Sequence, residues 1–156
     1  MSRVQLALRV SDLEGSVEFY STLFGAEPAK RRPGYANFAI DEPPLKLVLI
    51  EGEPEQPTVM DHLGVEVFST DEVTAATKRL TESGLVTLSE DNTECCYALQ
   101  DKVWVQGPGK EPWEVYVVKG DADKLDKATD SECCCGIQND NAKELAGSAP
   151  STSSCC

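Results

Sequence analysis

Two stretches decide the fold: QLALRVSDLEGSVEFYSTLFG, from Gln5 to Gly25, and HLGVEVFSTDEVTAATKRLTESG, from His62 to Gly84. Each opens on apolar residues at every second position, the period of a half-buried strand. Each then changes period. In the first, Leu13, Val17, Phe19, Tyr20 and Leu23 recur at near-helical spacing, with Ser11 or Asp12 as the expected N-cap and Gly25 as the stop. In the second, Asp71 is the expected N-cap and Gly84 the stop. Asp12 and Asp71 are 59 residues apart, and so are Gly25 and Gly84. A strand followed by a helix therefore occurs twice at a fixed offset.

Short strand patterns follow each helix: 26–32, 35–40 and 45–50 in the first half, and 86–89, 103–106 and 113–118 in the second. The order in both halves is βαβββ. PLKLVLI, beginning at Pro44, lies over PWEVYVV, beginning at Pro112, so the overlay pairs Gln5 with His62 and Lys46 with Glu114. If the modules associate about a pseudo-twofold axis, these four side chains come from four central strands and face one cavity. The alternation agrees, because Gln5 shares a face with Ala7 and Arg9 while Leu6, Leu8 and Val10 take the other. The fold class expected is α+β, with paired modules at about 1–52 and 58–119.

Composition bounds the rest. With 14 Lys+Arg against 27 Asp+Glu the formal charge is -13, which argues against nucleic-acid binding. Apolar runs are strand-sized, far short of the roughly 20 residues that span a bilayer. The N-terminus passes straight into alternation, with no secretory pattern, so a cytoplasmic protein with reduced thiols is expected. After Lys119 no aromatic residue and no Val occurs, and residues 120–156 read as a disordered, Cys-rich tail.

Three features carry chemistry. Glu114 lies between Trp113 and Val115 in an otherwise apolar strand, and a buried acid needs a partner. The chain's 1 His falls where the overlay calls for a polar residue equivalent to Gln5. A lone strand His is more often a satisfied histidine than a ligand, and only the repeat lifts it above that. Third, the cysteines are clustered as Cys95-Cys96, Cys133-Cys134-Cys135 and Cys155-Cys156. Adjacent Cα atoms are about 3.8 Å apart, too close for an unstrained disulfide. Cys95 and Cys96 sit in DNTECCYAL, read as a polar loop. Side chains of neighbouring residues diverge in an extended strand, so both sulfurs reach one atom only where the chain bends. Paired thiolates suit a soft centre such as Cd(II) or trivalent arsenic. Arsenic with one organic substituent has two valences left for two sulfurs.

The paired βαβββ modules, with candidate ligands at equivalent strand positions, resemble the vicinal oxygen chelate superfamily, which includes glyoxalase I, extradiol dioxygenases and bleomycin-resistance proteins. The resemblance covers residues 1 to about 119. It implies a curved eight-stranded mixed sheet with a divalent metal held by Gln5, His62 and Glu114. Lys46 occupies the fourth position, where glyoxalases place a carboxylate. A protonated amine does not ligate, so three ligands remain and positions stay open, as at facial-triad iron sites. Gln5 supplies an amide oxygen in place of a second imidazole, which favours Fe(II) or Mn(II) over Cu or Zn.

HLGVEV, ECCYALQDKVWVQGPGKEPWEVY and GYANFAIDEPPLKLVLIE are similar to segments of the carbon-arsenic bond lyases, whose relatives are often labelled cadmium-induced proteins. Asp61 stands where Asn is expected. This resemblance implies Fe(II)- and O2-dependent cleavage of trivalent organoarsenicals such as methylarsenite to arsenite. Cys95 and Cys96 would be thiolate ligands to the substrate, and Cys133, Cys134, Cys135, Cys155 and Cys156 accessory thiols or part of a dispensable end. A homodimer is left open. Two readings compete: a cytosolic thiol-based protein that sequesters Cd(II) or arsenite without turnover, and a metal-free ligand-sequestering module. Lys30, Arg31 and Arg32 read as a solvated edge, Gly107-Pro108-Gly109 as a turn, and Asn37, Tyr97 and Lys102 receive no role.

Overall fold

The computed structural model describes residues 2–123. Strands β1 (Arg3–Val10), β2 (Lys30–Arg32), β3 (Tyr35–Ile40), β4 (Leu45–Glu51), β5 (Val59–Val67), β6 (Thr87–Cys95), β7 (Ala98–Gln106) and β8 (Pro112–Asp121) form one sheet, with α1 (Leu13–Phe24) and α2 (Thr70–Glu82) between them. The spatial order is β2-β3-β4-β1-β5-β8-β7-β6. Its two halves are mirror-ordered copies of one βαβββ module, joined where β1 pairs antiparallel with β5. The first and last strands of each module are parallel neighbours, β1 with β4 and β5 with β8. The sheet is mixed and curved, the vicinal oxygen chelate fold.

Alternation divides the sheet into two faces. Leu47, Leu49, Phe38 and Ile40 pack under α1 with Val10 and Val17. Val103 and Val117 pack under α2 with Val73 and Ala76. The opposite, concave face carries the polar residues and a cavity. No helix among the described residues is long and apolar enough to cross a membrane.

The helix starts show how local chemistry sets the boundaries. Asp12 caps α1, its Oδ1 accepting from Gly15 N at 2.9 Å, and Gly25 ends it at φ 61. For α2 the cap is Ser69, not Asp71. Ser69 Oγ accepts from Glu72 N, while Glu72 Oε2 accepts from Phe68 N and Ser69 Oγ. This is a variant of the capping box, legible as S-x-x-E, in which Glu72 binds the amide before the cap, and Asp71 falls in the first turn beside the positive helix end. Asp12 and Ser69 are 57 residues apart, the same offset as Gln5 and His62.

Three strand expectations are corrected. The expected strand at 26–32 is only Lys30–Arg32, because Pro28 has no N–H for a ladder. The stretch read as a polar loop around Cys95 is a hairpin of two nine-residue strands, β6 and β7, closed by Cys96 and Tyr97 at φ 54 and 59. Its polar residues lie on an edge strand whose outer side faces solvent, so they left no alternation to read. A register shift between Glu90 and Thr93, with Asn92 at φ 51, gives the same segment a bulge. Strand β8 runs on to Asp121, past the expected strand end at Val118. The remainder of the expected tail from Lys124 onward, with its five cysteines, lies outside the described residues.

Candidate functional site

Gln5, Lys46, His62 and Glu114 all line one cavity of about 190 Å3 on the concave face. They stand on β1, β4, β5 and β8, the four central strands. Gln5 Nε2 is 3.0 Å from His62 Nε2 and donates to Glu114 Oε1 at 2.7 Å, and His62 Nε2 is 3.4 Å from Glu114 Oε1. All three residues are buried. One feature of β5 permits this convergence. Gly64 lies between Gln5 and Glu114 in register, and a Cβ there would meet Glu114 Cγ at 3.1 Å and Gln5 Cβ at 3.3 Å. Its bare backbone leaves room for both neighbours to lean toward His62.

Partners hold each of the three. Between Ala7 and Leu8 the register on β5 slips from His62 to Met60, leaving Asp61 as the extra residue of a bulge. Neighbouring strand residues ordinarily point apart, but the bulge lets Asp61 Oδ2 reach His62 Nδ1 at 2.7 Å. Arg9 Nε in turn donates to Asp61 Oδ1. An Nδ1–H given to Asp61 leaves Nε2 as the cavity-facing nitrogen, the arrangement that orients histidine ligands. Lys102, 1% exposed, donates to Glu114 Oε2 at 2.9 Å and lies over the Trp104 ring at 5.2 Å. Tyr116 Oη bonds Gln5 Oε1.

The electrostatics follow. Burial opposes ionisation of Glu114, but Lys102 and then His62 outweigh it and bring its pKa down to about 2. Burial likewise opposes charge on His62, yet Asp61 and Glu114 lift it to about 9. Lys102 is raised despite burial, chiefly by Glu114 and then by Cys95 and Cys96.

The donor set fits a divalent cation. Neighbouring donors about 2.1 Å from an octahedral ion are about 3 Å apart, which is the spacing of these three atoms. The Gln5 amide can turn its oxygen to the same point, because the Tyr116 hydroxyl accepts as readily as it donates. Among the described residues, no group of three or more His, Cys, Asp or Glu is placed to hold a metal ion. The arrangement therefore depends on the amide as third donor. Lys46 is bound at 2.9 Å to Glu66 Oε1 on the cavity wall.

The β6–β7 hairpin brings sulfur to the same cavity. Cys96 lines it; Cys95, 1% exposed, packs on Trp104 behind. The sulfurs are 3.3 Å apart, beyond the roughly 2.0 Å of a disulfide. Both are thiols within reach of one atom. The hydrogen bond with Cys95 and burial hold the Cys96 thiol well above its ordinary range. The hairpin tip is fastened to the other module: Tyr97 Oη donates to Pro33 O at 3.0 Å, and Lys30 Nζ to Tyr97 O at 3.0 Å. The Tyr97 ring lies 5.5 Å from that of Tyr35. Lys30 thus belongs to this contact and is not simply a solvated edge.

Asp61, Gly64, Lys102 and Tyr116 are the residues of this site that the sequence left without a role. Gly64 carried a signal, since an isolated glycine in a strand marks a close approach. The Asp61 bulge carried none.

The family described as the Glyoxalase/Bleomycin resistance protein/Dioxygenase superfamily matches residues 3–115. Among characterised proteins, the chain is 67% identical over 147 residues to a trivalent organoarsenical cleaving enzyme of Thermomonospora curvata, covering 94% of this chain and 97% of that one. It is 63% identical over 123 residues to the cadmium-induced protein CadI of Mycobacterium tuberculosis, covering 79% and 80%. Of solved structures, an extradiol ring-cleaving dioxygenase from B. fuscum superposes with a TM-score of 0.57 at 21% identity, over 79% of this chain and 34% of that one. A Mn(II)-bound glyoxalase from Novosphingobium aromaticivorans gives 0.56 at 20% identity, over 81% and 43%. These structures share the fold; the sequence relatives share most of the chain. With mirrored βαβββ modules, a cavity between them and these matches together, the chain belongs to the glyoxalase, bleomycin resistance protein and dioxygenase superfamily, on the branch that holds the trivalent organoarsenical cleaving enzymes and the cadmium-induced proteins.

Proposed function

We propose that this protein cleaves the carbon-arsenic bond of trivalent organoarsenicals such as methylarsenite, with Fe(II) as cofactor and O2 as oxidant, and releases arsenite. The observation that carries this reading is a cavity with an amide, an imidazole and a carboxylate at one point of its wall and, at another, the Cys96 thiol with that of Cys95 3.3 Å away behind it. The name of the 67% identical relative supports the substrate class.

The residues divide the work. Cys95 and Cys96 displace the two hydroxyls of methylarsenite as water and give up their own protons, so arsenic is fixed by two sulfurs. This replaces a dilute encounter with an intramolecular one. Gln5, His62 and Glu114 would hold the iron. Iron, when bound, supplies the O2 chemistry that an unaided side chain lacks. Asp61 keeps the His62 ring oriented, and Lys102 neutralises the Glu114 oxygen turned away from the site. The stoichiometry closes without a further reductant. One methylarsenite and one O2 contain the atoms of one arsenite and one formaldehyde, and arsenic stays trivalent while carbon is oxidised.

Anaerobically iron-loaded protein mixed with methylarsenite and O2 is expected to release arsenite, followed by arsenic speciation. Glu114→Ala removes turnover while retaining capture, and Cys95→Ser removes capture. Equal arsenite release without iron would overturn the cofactor assignment. Tight binding with no arsenite under any condition would favour the sequestering reading, which the cadmium-induced relatives motivate.

A further inference from the structure

Gln100 stands on the concave face of β7, 5% exposed, and lines the cavity with Cys96 and Glu114. Its Nε2 donates to the Cys95 carbonyl at 3.3 Å. Among the described residues lining that cavity, Gln100 Oε1 is the buried side-chain polar atom that has no hydrogen-bond partner. Turning the amide over does not relieve this, because its oxygen would then face the Cys95 carbonyl oxygen. The hairpin therefore fixes a buried, unpaired acceptor on a residue that lines the cavity. A buried acceptor left unpaired is unfavourable, and what enters the cavity can satisfy it.

Other side chains on this wall bond to one another or to a neighbour. Asn37 Nδ2 donates to Tyr35 Oη at 2.9 Å, Lys46 to Glu66, and Tyr116 to Gln5. The identity of the missing donor rests on the arsenical reading above. Once two sulfurs occupy arsenic, its hydroxyls have left, and only the organic substituent can still bring an O–H or N–H. There is room for one. The cavity of about 190 Å3 is several times the roughly 30 Å3 that a water occupies in the liquid, and a methyl group is of comparable size.

We propose that Gln100 determines specificity for the organic group: its Oε1 accepts a hydrogen bond from a hydroxyl or amine on the substituent, so the pocket favours hydroxyaryl and aminoaryl arsenicals over the unsubstituted phenyl compound. A site with an acceptor committed to a donor discriminates against the analogue that lacks it.

The test needs neither iron nor turnover. Reduced, metal-free, full-length protein is dialysed anaerobically against 4-hydroxyphenylarsenite or phenylarsenite, and bound arsenic is measured. The ratio of the two affinities is expected to be about tenfold larger for wild type than for Gln100→Met. Phenylarsenite affinity should stay within about twofold in that variant, showing that the hairpin is intact. An equal ratio in both proteins overturns the assignment. Should Gln100→Met not fold, the wild-type ratio is compared with that for a small dithiol in solution; a tenfold excess supports the role of Gln100, and no excess overturns it. If wild type binds neither these compounds nor methylarsenite, the arsenical reading itself falls and this one with it. Thiol-dependent binding without discrimination removes only Gln100.

Discussion

Gly64 shows how one absent side chain shapes the site. It separates Gln5 from Glu114 across three adjacent strands, and any Cβ there requires both to give by a few tenths of an ångström. Gly64→Ala is therefore expected to lower Fe(II) affinity while leaving the circular dichroism unchanged; competition against a chromophoric chelator measures it. Unaltered affinity would refute the close-approach argument. Asp61 acts through His62 in a different way, by fixing the ring and its tautomer. Loss of such a partner lowers metal affinity roughly 10–100-fold. Asp61→Ala should fall in that range in the same competition, with thiol capture of phenylarsenite unaffected. The adjacency of Asp61 and His62 is visible in the sequence, but their contact depends on the bulge.

At the scale of elements, Asp101 ties three together. On β7, it accepts from Thr70 Oγ1 at 2.6 Å at the start of α2, from Asn92 N at 2.8 Å in the β6 bulge, and from Lys119 on β8. Burial opposes its charge, but Thr70, Asn92 and Lys119 hold its pKa below the ordinary carboxylate value. Because the folded value is depressed, the stabilisation is complete above about pH 4, the unfolded value, and is lost as pH falls through the folded one. Asp101→Asn should lower stability by about 1–3 kcal/mol at neutral pH and flatten the acid limb of a denaturation series from pH 6 to 2. A parallel loss at every pH would contradict this. The hairpin is the second element under load. Cys96 and Tyr97 both adopt positive φ without being glycine, which costs roughly 1 kcal/mol or more each, and contacts with Pro33, Lys30 and Tyr35 offset it. Tyr97→Ala should accelerate amide exchange in 94–99 while exchange under α1 stays unchanged.

At the scale of the molecule, the proposed ligands come from both halves: Gln5 from one module, His62 and Glu114 from the other. The modules meet through the β1–β5 pairing, so an ion bound by all three ties the halves together. Ligand at 100 times its Kd stabilises the native state by about 2.7 kcal/mol, which for a domain of this size raises Tm by roughly 10 °C. Anaerobic Fe(II) should produce that rise, a chelator should reverse it, and Glu114→Ala should abolish it. A rise that survives in Glu114→Ala would place the ion elsewhere.

The sequence by itself determined the two βαβββ modules, their offset and the faces on which Gln5, Lys46, His62 and Glu114 lie. Those properties follow from periods of about 2 and 3.6 residues and from caps and stops, all written within a few residues of one another. Even there, the pattern failed where an edge strand faced solvent on its outer side, and β6 beyond Ser89 was read as a loop. Only the tertiary structure decided the bulge that brings Asp61 to His62, the two-residue turn that brings the sulfurs together, the burial of Lys102 against Glu114 and the unpaired acceptor on Gln100. Each of these depends on which strand lies beside which and in what register. That is set by packing between residues far apart in the chain, and no local pattern records it.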